Sequence, residues 1–281
     1  MSQKDLLAVV ELIRADSLPG QPLCTIQDVQ NALVGRAVID RGWWEALASI
    51  RTLVATLDND VVGAASYGIR KHDTSSFADC GFLLWFHARE NQEVTEALLS
   101  SILAALDVCP RIYSFWIATP LTFGVEALPV EHRPVTHRVL LSHEFVGADE
   151  WLYMKGPVLT LQPSLDKVAE VKRVKNGWKL HLYEGKEQVA EAEVGIGKDR
   201  IGVLWWIEVH EDWRGHGFGK QLLLQARKML GDAGAKEVIL YVDHDDLAKR
   251  NRVPAIHLYQ SQGFTVIDHL WSYWKGLPTR E

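Results

Sequence analysis

Cysteine is scarce. Cys24, Cys80 and Cys109 are odd in number, widely spaced and without a CxxC pair. That excludes a disulfide framework and the usual zinc-ligand spacing, and predicts reduced, mostly buried thiols. Long apolar runs are missing too: stretches such as Phe82 to Phe86 and Gly202 to Ile207 fall far short of the ~20 residues a membrane helix needs. At the N-terminus Lys4, Asp5, Glu11 and Arg14 interrupt the apolar residues, so there is no continuous signal-peptide core of about 7 to 15 residues. The expected location is cytoplasmic, with no membrane partner. A basic surplus is also lacking, since 30 Lys and Arg face 36 Asp and Glu for a net charge of -6. Binding to a phosphate backbone has no compositional support, so no nucleic-acid partner is expected, and a cationic amine suits the chain better.

What is present is enough apolar material for two cores: 281 residues, 47% apolar and 23% charged. Leu6, Leu7, Val10 and Ile13 recur at helical spacing, and Thr25 is a good N-cap for a second helix with Val29, Leu33 and Val34 inward. A hairpin follows, in which Leu53 to Thr56 and Val61 to Tyr67 flank the turn formers Asp58, Asn59 and Asp60. Next come a strand from about Phe82 to His87, a helix from about Gln92 to Leu106 and a β-rich segment Ile112 to Ala118. The second half repeats this order, with a hairpin within Trp178 to Gly195, a strand Val203 to Val209, a helix Lys220 to Leu230 and a strand Val238 to Val242. The stretch beginning at His137 also runs parallel to that beginning at Ile256, which matches Phe145 with Phe264. The chain reads as a duplication with its junction near Lys155-Gly156-Pro157, giving domains 1–155 and 156–281. The eleven tryptophans are read as core.

The most informative stretch is residues 207 to 223, IEVHEDWRGHGFGKQLL. A strand runs through Ile207, Glu208 and Val209 into Arg214-Gly215-His216-Gly217-Phe218-Gly219 and then, from Lys220, a helix. Strand, glycine turn and helix converge backbone N–H groups and a positive helix end on one point, which is how an anion is held. A P-loop is excluded, because Arg214 stands five residues before Gly219 and Gln221 follows Lys220 where Ser or Thr would bind magnesium. A dinucleotide fingerprint is excluded because Lys220 occupies its third glycine position. Among the histidines at 210, 216, 244, 257 and 269 no HExxH or other compact ligand spacing occurs, so no metal is expected.

Arg214, Gly217 and Gly219 match [RQ]xxGx[GA], and Ala255 to Phe264 matches AxxLYxxxGF about 40 residues later. In these two motifs, in this order, the chain resembles the GNAT superfamily of acyl-CoA-dependent N-acyltransferases. The resemblance is good over residues 178 to 274 and holds only in outline before them. It implies an α/β fold with a mixed sheet: two tandem GNAT-like domains, each a twisted mixed central β-sheet flanked by helices. It also implies acetyl-CoA as co-substrate, held by Ile207, Glu208 and Val209 and by Arg214, Gly215, His216, Gly217, Phe218, Gly219 and Lys220. The Val209 N–H becomes the candidate oxyanion donor, and Tyr259 the candidate acid that protonates the departing thiolate. Glu208 is the candidate base, because its side chain should point opposite to those of Ile207 and Val209. Asp243 and His244 are candidate acceptor-binding residues. Two positions depart from the family pattern: Tyr241 stands where many relatives carry glutamate, and Arg252 where they carry asparagine.

In the first half the corresponding loop reads HARENQEVTEALL, with Glu90, Glu93 and Glu96 and no glycine. Those acids would repel a pyrophosphate, which implies a degenerate domain without an acetyl-CoA loop. The second half has only Leu165 to Val174 where relatives place two helices, so the first half is expected to supply part of the acceptor wall. The function implied is N-acetylation of the primary amine of a small molecule by direct attack on the thioester, by a monomer or homodimer. The alternative is a non-catalytic acyl-CoA-binding sensor or scaffold.

Overall fold

The computed structural model describes residues 3–121, 127–175, 177–243 and 252–276. Helix α1 (Gln3–Ala15) buries Val9, Val10, Leu12 and Ile13 on one stripe. Helix α2 (Ile26–Leu33) starts at a reciprocal capping box: the Thr25 hydroxyl accepts from the Asp28 N–H, and the Asp28 carboxylate accepts from the Thr25 N–H at 2.9 Å. Val29 is buried as expected, but Val34 lies past the helix end and is exposed. A short α3 (Arg41–Glu45) leads to the hairpin of β1 (Leu47–Leu57) and β2 (Asp60–Arg70), turned by Asp58 and Asn59 at φ 50 and 68. Then come β3 (Gly81–His87), α4 (Gln92–Ala105), β4 (Ile112–Ser114), β5 (Leu128–Pro129), α5 (Pro134–Ser142) and β6 (Val146–Pro157). The expected β-rich run to Ala118 thus ends as a strand at Ser114.

The second half contributes β7 (Glu170–Val174), β8 (Gly177–Glu184), β9 (Glu187–Ile196), β10 (Ile201–Val209), α6 (Phe218–Asp232), β11 (Glu237–Asp243), α7 (Val253–Ser261) and β12 (Thr265–Lys275). Short 3-10 turns precede β10 and follow it. Among the described residues no helix is long and apolar enough to cross a membrane.

The chain forms two compact units, and their boundary is not the expected 155/156. One unit is Met1–Leu18, Leu23–Glu150 and Asp268–Glu281; the other is Pro19–Pro22 and Trp151–Ile267. The reason is strand pairing. The last strand of the first half, β6, lies antiparallel to β11 from Asp243↔Trp151 to Glu237↔Pro157. The last strand of the second half, β12, lies antiparallel to β4 from Tyr273↔Ser114 to Lys275↔Ile112. Backbone ladders, rather than chain order, decide which residues share a core.

The first unit orders its strands β1-β2-β3-β4-β12, with β5 beside β12. Phe82 and Leu84 face a cluster built with α1 and α2, while Leu83 and Phe86 face one built with α4 and α5. The second unit orders its strands β6-β11-β10-β9-β8-β7. One face carries Leu180, Leu182, Ala190, Ala192, Leu204, Leu240 and Val242 against Leu222, Leu223 and Ala226 of α6 and Tyr259 of α7. Residues 165–174 hold β7 and no helix, as the sequence suggested. The opposite face carries charged and aromatic side chains instead.

Most tryptophans take the expected core role: Trp44 and Trp85 are buried, and Trp43, Trp116, Trp178, Trp213, Trp271 and Trp274 pack partly buried against the apolar clusters. Trp205 and Trp206 are 37% and 45% exposed. Their strand leaves its parallel neighbour at that point, so nothing of the second unit's core reaches them.

Candidate active site

The site begins with a fault in the sheet. Among the described residues the parallel ladder of β10 with β11 runs from Ile201↔Glu237 to Leu204↔Leu240 and stops, while β10 continues to Val209 beside β9. A bulge at Trp205 shifts the β9 register between Leu204 and Trp206. An extra residue bends a strand, and here the bend opens a gap between β10 and β11. The His210 N–H donates to the Val189 carbonyl at 2.9 Å. Antiparallel alternation therefore turns the N–H groups of Ile207 and Val209 to the other edge, toward the gap. Ile207 and Val209 pack their side chains on the α6 core, which leaves Glu208 on the opposite face, exposed. No hydrogen bond or ion pair to Glu208 occurs among the described residues.

Past Val209 a single 3-10 turn (Glu211–Trp213) leads into the glycine loop. Gly215 and Gly217 take φ of 80 and 82, the left-handed region where a Cβ is strained, and a Cβ added to either would meet nothing within 4 Å. Gly217 is the N-cap of α6 and supplies no side-chain cap, so the first N–H groups of that helix open outward. Gly219 lies inside the first turn, where a Cβ would approach Leu258 Cδ2 at 3.4 Å and Val209 Cγ2 at 3.5 Å. Strand end, loop and α7 thus converge. The Arg214 Nε donates to the Val209 carbonyl at 3.2 Å, and the Arg214 carbonyl is 3.0 Å from His216 Nδ1. Phe218 is buried, with His216 stacked on it at 6.3 Å and Trp213 edge-on at 5.9 Å. Lys220 is exposed one residue beyond Gly219.

A second segment is fastened to this helix, which sequence reading missed. Gln221 and Gln225, one turn apart on α6, accept from the N–H groups of Lys167 and Ala169 at 2.9 and 2.7 Å. The i, i+4 glutamine pair was the available signal.

Tyr259 sits in the core at 6% exposure, with its ring 5.9 Å from Phe264. Burial pushes its phenol up to about 12, Arg252 acts against that shift, and Asp243 adds to it. Asp243, expected to meet the acceptor, is ion-paired with Arg252. His244 lies outside the described residues. Tyr241 lies against Tyr153 at 5.4 Å rather than offering a carboxylate.

The first unit carries the same fault with different contents. Its parallel ladder ends at Leu83↔Ser114, and a bulge at Leu84 shifts β3 against β2 between Trp85 and Leu83. The following loop keeps left-handed backbone without glycine, at Arg89 (φ 47) and Glu90 (φ 53). Asn91 caps α4, its side chain accepting from the Val94 N–H at 3.0 Å. The Glu90 carboxylate accepts from the Val135 N–H at 2.6 Å and the Thr136 N–H at 3.0 Å, filling the start of α5. Arg133, 3% exposed, lies 3.3 Å from Glu90 and 3.6 Å from Asp16, and Asp16 is 2.8 Å from His87.

Comparison with known proteins identifies a domain in the second half. Residues 177–266 match the model of the acetyltransferase (GNAT) domain. The match assigns that segment, less than half of the chain, to the GNAT superfamily. The mycothiol acetyltransferase of Thermobifida fusca is 41% identical over 64 residues, 23% of this chain and 18% of that one. The mycothiol acetyltransferase of Nocardiopsis dassonvillei is 38% identical over 68 residues, 24% and 19% of the two chains. The matched segment spans less than a fifth of those relatives. Two solved structures share the fold across nearly the whole chain. A GCN5-related N-acetyltransferase from Sphaerobacter thermophilus has a TM-score of 0.58 at 14% identity, covering 97% of this chain and 94% of its own. A tandem GNAT protein from the clavulanic acid biosynthesis pathway has a TM-score of 0.61 at 11% identity, covering 98% and 96%. The chain shares the mixed α/β fold of these two proteins, and residues 177–266 of its second half carry the match to the acetyltransferase domain.

Proposed function

We propose that the second unit transfers an acetyl group from acetyl-CoA to the primary amine of a small molecule. The observation that carries this reading is the parting of β10 from β11 at Leu204, immediately before a glycine loop and an uncapped helix. A thioester arm laid in the gap would find the N–H groups of Ile207 and Val209. The pyrophosphate would meet the backbone of Gly215 to Gly219, with Arg214, His216 and Lys220 beside it.

In this reading Glu208 takes a proton from the ammonium, directly or through water. The amine nitrogen bonds to the carbonyl carbon, and the oxyanion accepts from the Val209 N–H. As the C–S bond breaks, the attacking nitrogen gives up its remaining extra proton to water, and the thiolate leaves hydrogen-bonded to the Tyr259 phenol. A phenol at about 12 is a weaker acid than a thiol at ~8.5, so its hydrogen bond does most to steady the nascent thiolate. The raised value also keeps the phenol protonated throughout the range of an ordinary assay. Asp243 would bear on the acceptor only by releasing Arg252. We assign no acetyl-CoA site to the first unit, where Asn91 and Glu90 already occupy the donors of two helix ends.

Tyr259→Phe tests the reading. The variant should keep its affinity for acetyl-CoA and lose on the order of 10²-fold in kcat. The wild-type rate should show no falling limb from this phenol below about pH 11. Failure to bind acetyl-CoA in calorimetry, together with no thiol release across a broad amine panel, would overturn the proposal.

A further inference from the structure

The face of the second unit's sheet opposite α6 has a charge arrangement that the motifs do not predict. Ala190, Ala192 and Val194 point into the α6 core, so Glu191 and Glu193 point the other way, as do His181 and Lys179 between the buried Leu180 and Leu182. Cross-strand register sets them in two rows. One row reads Lys179, Glu193, Trp206 and the other His181, Glu191, Glu208.

In the first row charge is matched: Lys179 Nζ lies 3.3 Å from Glu193, and Trp206 ends the row 45% exposed. In the second it is not. Glu191 and Glu208 stand directly opposite one another, and like charges so placed repel. Glu191 receives a hydrogen bond from Gln188 Nε2 at 3.1 Å. His181 Nδ1 is 3.7 Å away from Glu191 and also 3.0 Å from Gln188 Oε1, and it carries charge only when protonated. The pair therefore has about one cation too few. Because the His210–Val189 bond makes Glu208 and Glu191 a hydrogen-bonded pair, their Cα atoms are about 5.5 Å apart. Two nitrogens separated by three or four carbons span about 5 to 6 Å when extended, since ~1.5 Å bonds at ~111° advance about 1.25 Å each. An indole two residues along the same strand offers the remaining carbon chain and cation a face to lie on.

Resting on the acetyl-transfer reading, we propose that the acceptor is a small dicationic amine whose second ammonium is held by Glu191. The reacting nitrogen lies at Glu208, beside the thioester gap, and the carbon chain covers Trp206. Glu191 and Trp206 set specificity, and they do not take part in bond making.

The experiment compares 1,4-diaminobutane with n-butylamine by thiol release from acetyl-CoA. Wild-type protein should favour the diamine by tenfold or more in kcat/KM. Glu191→Gln should bring that ratio to near one through KM of the diamine, and Glu191→Asp should restore part of it. Trp206→Phe should retain more of the preference than Trp206→Ala. Equal use of both amines by the wild type, or an unchanged ratio in Glu191→Gln, overturns the dication proposal while leaving acetyl transfer standing. No turnover of any amine, with no acetyl-CoA binding, overturns both.

Discussion

Gly217→Ala isolates the ligand's demand on the loop from the fold's demand. At φ 82 an alanine is strained, yet a Cβ there would touch nothing within 4 Å. The cost to folding is therefore left-handed backbone alone, about 1 to 2 kcal/mol, or roughly 2 to 4 °C in Tm per kcal/mol for a chain of this size. Gly185 provides a matched control in the same unit, on the β8–β9 turn, with φ 61 and equally open surroundings. Gly185→Ala should lose similar stability. If a pyrophosphate packs against the loop, Gly217→Ala must in addition expel the anion or displace the first N–H groups of α6. Two charge-assisted hydrogen bonds at about 1.5 kcal/mol each correspond to a Kd for acetyl-CoA weaker by about 100-fold. Gly217→Asn, which tolerates the left-handed region, should recover stability without recovering affinity. Thermal melts and calorimetric titration read the two effects separately. Equal acetyl-CoA affinity in Gly217→Ala and Gly185→Ala would refute the loop's role.

Two further outcomes concern the fold. In the first unit, burial holds the His87 ring below its ordinary value and therefore neutral. The Asp16 carboxyl is pushed up by burial, but Arg133 and the His87 hydrogen bond outweigh that and leave it depressed. Both groups contribute stability that is present above their unfolded values, near 6.5 and 3.9, and lost as pH falls through the folded ones. Urea midpoints should therefore fall in two stages, and Asp16→Asn should cost about 3 kcal/mol at pH 7 and remove the lower stage. In the second unit, a Cβ on Gly177 would lie 1.9 Å from the Val194 carbonyl oxygen, which is backbone and cannot yield. Gly177→Ala should separate β8 from β9 and abolish the cooperative melt of that unit, while a native-like Tm would contradict the register.

Much of the second unit was legible in the sequence because its signals are local. Left-handed backbone demands Gly215 and Gly217, helical spacing demands Leu222, Leu223 and Ala226, and alternation turns Glu208 away from Ile207 and Val209. The alternation in Val189 to Val194 likewise turns Glu191 and Glu193 together, but nothing in a single strand tells which carboxylate its neighbour will oppose. Register is a property of two strands, and only the folded sheet sets Glu191 against Glu208 and Lys179 against Glu193.

The sequence alone determined the glycine loop, the tyrosine after it and most of the strands and helices around them. Tertiary structure decided the rest. It moved β6 and β12 away from the units their chain positions suggested, because a strand's N–H and C=O groups are satisfied by whichever neighbour lies alongside. It paired Asp243 with Arg252, exposed Trp205 and Trp206 at the bulge, and opened the gap at Leu204. The strand exchange and the gap depend on pairing between residues far apart in the chain, which no local spacing encodes.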